Sequence, residues 1–300
     1  MHLLNKMVVA TLPLVPRPMV RFFAGRYIAG ETLLDAVRTV RQLNSEGVCA
    51  TLDVLGEEVT SREEALAACD RSIQVLHTIA QERLDSNLSM KLTSLGLRLE
   101  REFCLTNVRK ILKVAEELNI FVRIDMEDHT ATTETIDLFR VARREYTNVG
   151  IVLQAYLRRS MEDANALLQD GANFRLCKGI YREPENIAFK GRGEIQQNYL
   201  ALLKLMLDHG SYVGIATHDS VLIDGACRLI RELKLNRTRY EFQMLLGVRP
   251  ELRRSLVADG HKVRLYVPFG ESWYGYSLRR FKENPEIAGH VFRAIFKPHR

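Results

Sequence analysis

The chain's 300 residues suffice for one large α/β barrel or for two ordinary domains, and a content of 46% hydrophobic and 27% charged residues excludes a disordered or fibrous protein. A formal net charge of +6 suits contact with anionic cofactors or lipid headgroups; with no basic tail, finger spacing or RNP-type aromatic pattern, nucleic acid is not an expected partner. Five scattered cysteines, odd in number and never in a CxxC pair, point to reduced thiols in a cytosolic setting.

The first 47 residues read as a helical entry segment, with one helix over 18–28 and a second from Glu31 to about Asn44 that closes at Gly47. The apolar run Met7 to Val15 within it is too short to span a membrane and is broken by Pro13, so any membrane association is expected to be peripheral. From residue 48 to 300 strand and helix alternate as one domain. Strands are expected over 48–55, 88–95, 120–126, 149–157, 173–180, 212–218, 238–246 and 262–268. Helices are expected over 61–84, where Ser61 and Glu64 suggest a capping box, and over 106–118, 132–146, 160–170, 195–209, 219–233 and 250–258. Continuous apolar runs such as Ile151-Val152-Leu153 suit parallel strands buried on both faces, whereas Val263, Leu265 and Val267 alternate as in a half-buried strand. Because no GxGxxG turn follows a strand, about eight βα units predict a (β/α)8 barrel with one long charged connection over 182–193.

In such a barrel the site lies at the carboxyl ends of the strands. Those ends carry Asp53, Lys91, Asp125 with Met126 and Glu127, Gln154 and Tyr156, Arg175 and Lys178, Thr217-His218-Asp219, Glu241 and Gln243, and Tyr266. After the last strand, Pro268 and Gly270 break the pattern and a helix begins near Glu271, placing Tyr276, Arg279, Arg280 and Glu283 on one face. Paired arginines with a tyrosine and a glutamate suit a carboxylate receptor, although in isolation a solvated face with an Arg/Glu pair is the commoner reading. Lys91, Arg175, Lys178, Arg279 and Arg280 at one mouth would repel one another without an anionic ligand, and a diphosphate with a substrate carboxylate would satisfy them. No HxH or HExxH spacing is present, so a catalytic metal is not expected. A Schiff-base lysine, Lys91 or Lys178, as in barrel aldolases, is the alternative.

The stretches SMKLTSLGL, RIDMED, LQAYLRR, FRLCKGIYRE, ATHDS, YEFQMLLG and RLYVPFGESWYGYSLRRFKENP, in that order, resemble the proline dehydrogenase (proline oxidase) family in its bacterial single-function form. The resemblance implies a distorted (β/α)8 barrel holding FAD noncovalently. It implies oxidation of L-proline to Δ1-pyrroline-5-carboxylate by hydride transfer from C5 to flavin N5, with electrons passed to a membrane quinone. Carried over by position, Arg279, Arg280 and Lys91 bind the proline carboxylate, Glu283 orients the arginines, and Tyr266, Tyr276 and Leu245 wall the ring, with Tyr181 nearby. Met126, Gln154, Arg175, Lys178, Gly179, Ile180, Thr217 and His218 fall at FAD contacts, and Asp125 and Arg175 fall beside the reaction centre. The acceptor of the amine proton stays open among Asp125, water and a tyrosine. Asp219 stands where many relatives carry asparagine.

The quinone implies a cytoplasmic protein at the inner face of the plasma membrane, with the N-terminal apolar segment and the C-terminal Val291, Phe292, Ile295 and Phe296 as candidate surfaces. No aldehyde dehydrogenase module follows in the sequence, so a separate pyrroline-5-carboxylate (glutamate semialdehyde) dehydrogenase is expected downstream.

Overall fold

Eight short parallel strands pair in sequence order and the last closes on the first, in the computed structural model, which describes residues 21, 25–56 and 58–277. They are β1 (Cys49–Val54), β2 (Ser86–Met90), β3 (Val122–Ile124), β4 (Val149–Gln154), β5 (Phe174–Cys177), β6 (Val213–Ala216), β7 (Tyr240–Leu245) and β8 (Val263–Phe269). The closing pair runs in register from Cys49 opposite Arg264 to Val54 opposite Phe269. Helix α1 (Leu33–Ser45) precedes β1; α2 (Arg62–Gln81), α3 (Arg101–Glu117), α4 (His129–Glu145), α5 (Ser160–Leu168), α6 (Arg192–Asp208), α7 (Ser220–Glu232) and α8 (Pro250–Ala258) each follow a strand. This is the (β/α)8 architecture that the alternation predicts.

Local chemistry explains where the elements start and stop. Thr32 and Asp35 form a complete capping box on α1, two residues inside the expected start at Glu31. On α2, Ser61 accepts the Glu64 N–H, while the Glu64 carboxylate takes the N–H of Thr60 at 2.7 Å, one residue before the cap. Helices α3, α4 and α6 begin three to five residues earlier than their apolar periodicity indicates, with the exposed Arg101, Thr130 and Arg192 in their first turns. The strand expected over 88–95 ends at Met90. There Lys91 leaves the sheet and a 3-10 turn, Thr93–Leu95, closes on Gly96 with φ +96°, a conformation that favours glycine. Gly25 to Tyr27 form a turn, so the first helix does not reach residue 28.

Alternation along the strands divides outer from inner residues. Outward residues such as Leu52, Leu88, Ile151, Phe174, Ile215 and Phe242 are fully buried against the helices. The inward set is polar: Thr51, Asp53, Ser89, Arg123, Asp125, Arg175, Glu241, Gln243, Arg264 and Tyr266. Strand β8 is therefore not half-buried. Its alternate residues Arg264 and Tyr266 face a closed interior instead of solvent. Helix α1 packs Ala36, Val37, Val40 and Leu43 against β1 and β8, and backbone bonds from Ala29 to Pro268 (2.9 Å) and from Gly270 to Gly30 (3.0 Å) tie the entry segment to the end of β8. The groove beside β8 is thus filled from the N-terminal side. The segment after β8, helical over 273–277, carries Tyr276 to the barrel mouth.

Candidate active site

A cavity of about 1250 Å³ opens at the carboxyl ends of the strands. One side of it is built from β1, β5 and β8 together with Lys91 after β2 and Asp125 after β3. Lys91 Nζ donates to both oxygens of Asp53, at 2.7 and 2.9 Å, and stands 3.5 Å from the Tyr266 hydroxyl. That hydroxyl donates to Asp125 Oδ2 at 2.8 Å. Asp125 Oδ1 accepts from Arg175 Nη1 at 2.7 Å and from Ser89 Oγ at 2.7 Å. The Arg175 guanidinium lies 5.4 Å from the centre of the Tyr266 ring, within cation–π range. Three polar side chains from separate strands and the residues that follow β2 and β3 are thereby linked in one chain, Asp53–Lys91–Tyr266–Asp125–Arg175.

Burial works against the charge of Lys91, but the carboxylates of Asp53 and Asp125 outweigh it and raise its pKa above the ordinary lysine value. The amine is held as an ammonium. Burial, followed by the charge of Asp125, pushes the Tyr266 phenol well above its ordinary value, so it keeps its proton and acts as a donor.

The other side of the cavity is the β4, β5 and β6 rim. Gln154 donates its amide to the Glu127 carbonyl at 2.8 Å, and Glu127 in turn accepts the Thr93 N–H at 3.0 Å. Gly179 has φ +109°, and a Cβ there would lie 2.1 Å from Tyr156 Cδ1, so the Lys178-Gly179-Ile180 turn runs flat across that ring. Asp219 caps α7 and collects Lys178 (3.5 Å), Arg192 (3.3 Å) and Gln196 (3.0 Å). Burial pushes its carboxyl up, but the Gln196 hydrogen bond and the two cations leave it below the ordinary aspartate value. His218 Nε2 accepts the Leu245 N–H at 2.9 Å, so the ring proton of the neutral form sits on Nδ1, while Arg249 donates to the His218 carbonyl at 2.6 Å.

Lys91, Asp125, Met126, Gln154, Arg175, Lys178, Gly179, Ile180, Thr217, His218, Leu245, Tyr266 and Tyr276 all line this one cavity, as does Tyr181. Arg279, Arg280 and Glu283 lie outside the described residues. The expectation of mutually repelling cations is corrected for the three that are described: Lys91, Arg175 and Lys178 each face a buried aspartate, Asp53, Asp125 and Asp219. Ser89, Arg192, Gln196 and Arg249 escaped sequence reasoning because their site contacts join elements far apart in the chain. For Ser89 a signal existed, since it precedes Lys91 by two residues at the end of its strand.

The chain's own residues fit a flavin dinucleotide. The cavity exceeds the roughly 300–1,000 Å³ of ordinary small-molecule pockets. The Lys178-Gly179-Ile180 turn, held against the Tyr156 ring, lines the cavity, and Lys178, Arg182 and Arg192 supply positive charge at that rim.

Comparison with known proteins agrees with this geometry. The sequence model of the Proline dehydrogenase family matches residues 36–293. The chain is 40% identical over 277 residues to Proline dehydrogenase 1 of Bacillus subtilis (strain 168), covering 92% of each protein, and 36% identical over 279 residues to Proline dehydrogenase of Deinococcus radiodurans, covering 91% and 90%. Among solved structures it superposes with a TM-score of 0.82 and 25% identity on proline utilization A (PutA) from Bdellovibrio bacteriovorus inactivated by N-propargylglycine; 88% of this chain is covered, but it spans only 32% of that longer protein. Matched through all eight strands by the family model, and nearly end to end by these curated relatives, the chain belongs to the proline dehydrogenase family, which are oxidoreductases.

Proposed function

We propose that the protein oxidises L-proline to Δ1-pyrroline-5-carboxylate with FAD and passes the electrons to a membrane quinone. The observation that carries this reading is the buried chain Asp53–Lys91–Tyr266–Asp125–Arg175, which sets cations, a carboxylate and an aromatic wall around one end of a dinucleotide-sized cavity. FAD, when bound, supplies the acceptor for a hydride from proline C5. Arg175, Met126, Gln154, Lys178, Gly179, Ile180, Thr217 and His218 would hold it. Lys91 gives the substrate carboxylate a fixed ammonium, joined in this proposal by Arg279 and Arg280 with Glu283 orienting them.

Tyr266, Tyr276 and Leu245 would wall the ring and exclude water, so that positioning supplies much of the rate. As C5 loses hydride and the amine loses its proton, a C=N bond forms. Tyr266 is not the proton acceptor, because its phenol is already held protonated by burial and Asp125. Asp125, water and the other cavity tyrosines, Tyr181 and Tyr276, remain as acceptors, and the Asp125 carboxylate is held in place by two donors on Oδ1 and one on Oδ2.

Among the described residues no helix is long and apolar enough to cross a membrane, which suits a cytoplasmic protein docking peripherally on the inner leaflet. Both candidate docking segments lie outside the described residues. Oxidation of the semialdehyde then falls to a separate dehydrogenase.

On Lys91 the Schiff-base alternative fits poorly, because an amine nucleophile needs a lowered pKa and that of Lys91 is raised. The deciding test is spectroscopic. Purified protein should show flavin absorbance that bleaches on adding L-proline, and a colourless preparation that FAD cannot reconstitute would overturn the proposal. Borohydride trapping of a substrate on Lys91 or Lys178 would favour the aldolase.

A further inference from the structure

Beneath the cavity the barrel holds a further charged pair that the proposed chemistry does not touch. Glu241 on β7 and Arg264 on β8 meet at 2.8 Å and are almost wholly buried, and Arg264 is anchored to the Ala50 carbonyl at 2.6 Å. Gln243, two residues beyond Glu241 and so on the same face, links this pair to the site. Its Nε2 donates to Glu241 Oε1 at 2.6 Å, and its Oε1 accepts from Arg175 Nε at 2.6 Å.

A carboxylate can only accept and a guanidinium can only donate, so an amide between them satisfies both in one orientation alone. Flipping it would set N–H against N–H and oxygen against oxygen in a low-dielectric interior. Glu241 has no proton to accommodate a flip, since burial pushes its carboxyl up but Arg264 brings it down to about 2. The space for the amide comes from β6. Gly214 sits in register with Arg175 on one side and Glu241 on the other, and a Cβ at Gly214 would lie 2.3 Å from Gln243 Nε2.

We propose that Gln243 is a positioning residue for Arg175, with Glu241 fixing the direction of its amide and Gly214 providing the slot in which it lies. This rests on the reading of Arg175 as the cation beside the flavin. Gln243 holds Nε, Asp125 and Ser89 hold Nη1, and Nη2 makes no hydrogen bond among the described residues. Two of three nitrogens are fixed, which sets the plane of the guanidinium and leaves the third for a ligand at the cavity.

The test compares Gln243→Met with the exchange Glu241→Gln/Gln243→Glu, which restores an acceptor toward Arg175 and an amide toward Arg264 at unchanged net charge. Two quantities are read: the Arg175 side-chain position in crystals of the flavin-free protein, and the single-turnover rate of flavin reduction by L-proline. In Gln243→Met the guanidinium should leave its place against Asp125 and flavin reduction should slow by about 10-fold per bound flavin, the scale of a small misplacement, at unchanged proline KM. In the exchange variant the guanidinium should return and most of the rate with it. An unmoved guanidinium in Gln243→Met, a rate lost only in proportion to flavin, or an exchange variant no faster than Gln243→Met would each overturn the positioning role. If Gln243→Met does not fold, Gly214→Ala displaces the same amide without deleting a polar group, and the same shifts are expected. Unmodified protein that proline does not bleach would count against the flavin reading instead, while the crystals still decide the role of Gln243.

Discussion

Tyr266 and Asp125 are joined across the barrel by a 2.8 Å hydrogen bond, although β8 and β3 are not neighbours in the sheet. The bond closes a loop of side chains at the mouth: Asp125 also binds Arg175, and the tyrosine hydroxyl lies within 3.5 Å of Lys91. One hydroxyl thus couples the group expected to meet the substrate carboxylate to the group expected beside the flavin.

Tyr266→Phe tests that coupling. Removing the hydroxyl leaves one Asp125 oxygen short of a donor, a loss of about 1–3 kcal/mol for a buried polar group, and frees the carboxylate to shift. The kcat/KM for proline is expected to fall by about 10- to 100-fold, as that energy converts at about 1.4 kcal/mol per decade, with flavin content unchanged. Steady-state kinetics with a flavin titration checks this; unaltered kinetics would remove Tyr266 from the site.

The Lys91–Asp53 pair is predicted to support the barrel as well as the substrate. Asp53 is 2% exposed, so Lys91→Met strands a buried carboxylate and should cost about 3–5 kcal/mol in urea unfolding. Asp53→Asn in that background removes the stranded charge and should recover much of the loss. Two single-variant costs that simply add in the double variant would show that the pair is not coupled.

The barrel and much of its mouth were legible in the chain itself, and the reason is geometric. Strand order in a (β/α)8 barrel follows sequence order, so the polar residues at successive strand ends, from Asp53 to Tyr266, converge once the fold is named. Pairing was not legible. Lys91 and Arg175 looked like unmatched cations because Asp53 and Asp125 lie 38 and 50 positions away, and no local pattern records which strand-end carboxylate meets which cation. The alternation of β8 likewise signalled a half-exposed strand, since period two distinguishes two faces but not whether the polar face meets water or a closed polar interior. The stop of β2 at Met90 depended on a turn closed by Gly96, a single residue between Leu95 and Leu97.

Acid stability should carry the signature of Glu241. Its folded pKa, about 2, is depressed below the ordinary glutamate value of 4.5, with burial opposed by Arg264. A depressed pKa contributes stability that is complete above the unfolded value and is lost as pH falls through the folded one, so the affected window runs from 4.5 down to about 2. Comparing urea unfolding of the native protein and Glu241→Gln across that window isolates the contribution. The gap between them should narrow as pH falls, and a gap that is constant with pH would show that Glu241 is not titrating as a buried, paired carboxylate.

Arg279→Met and Arg280→Met address residues outside the described structure and rest on the sequence alone. Each removes a charged partner of the substrate carboxylate, expected to be worth about 2–5 kcal/mol, and should raise the proline KM strongly while FAD stays bound. Flavin loss at an unchanged KM would place these arginines at the cofactor instead.

Gly179→Ala should act on the cofactor and spare the substrate. The residue sits at φ +109°, so any side chain is strained there by about 1–3 kcal/mol, and its Cβ would lie 2.1 Å from the Tyr156 ring. Tyr156 cannot easily give way. Its N–H is bound to the Lys178 carbonyl and its own carbonyl takes the Phe189 N–H, both at 2.8 Å, and the ring is buried beside Leu157 and Ala188. The turn must therefore move, carrying Lys178 and Ile180 away from the cavity they line. FAD affinity is expected to drop by at least about 10-fold, equivalent to 1.4 kcal/mol, while unfolding stays cooperative. Quenching of flavin fluorescence on titrating apoprotein measures this directly, and native affinity in the variant would mean that the turn does not approach the cofactor.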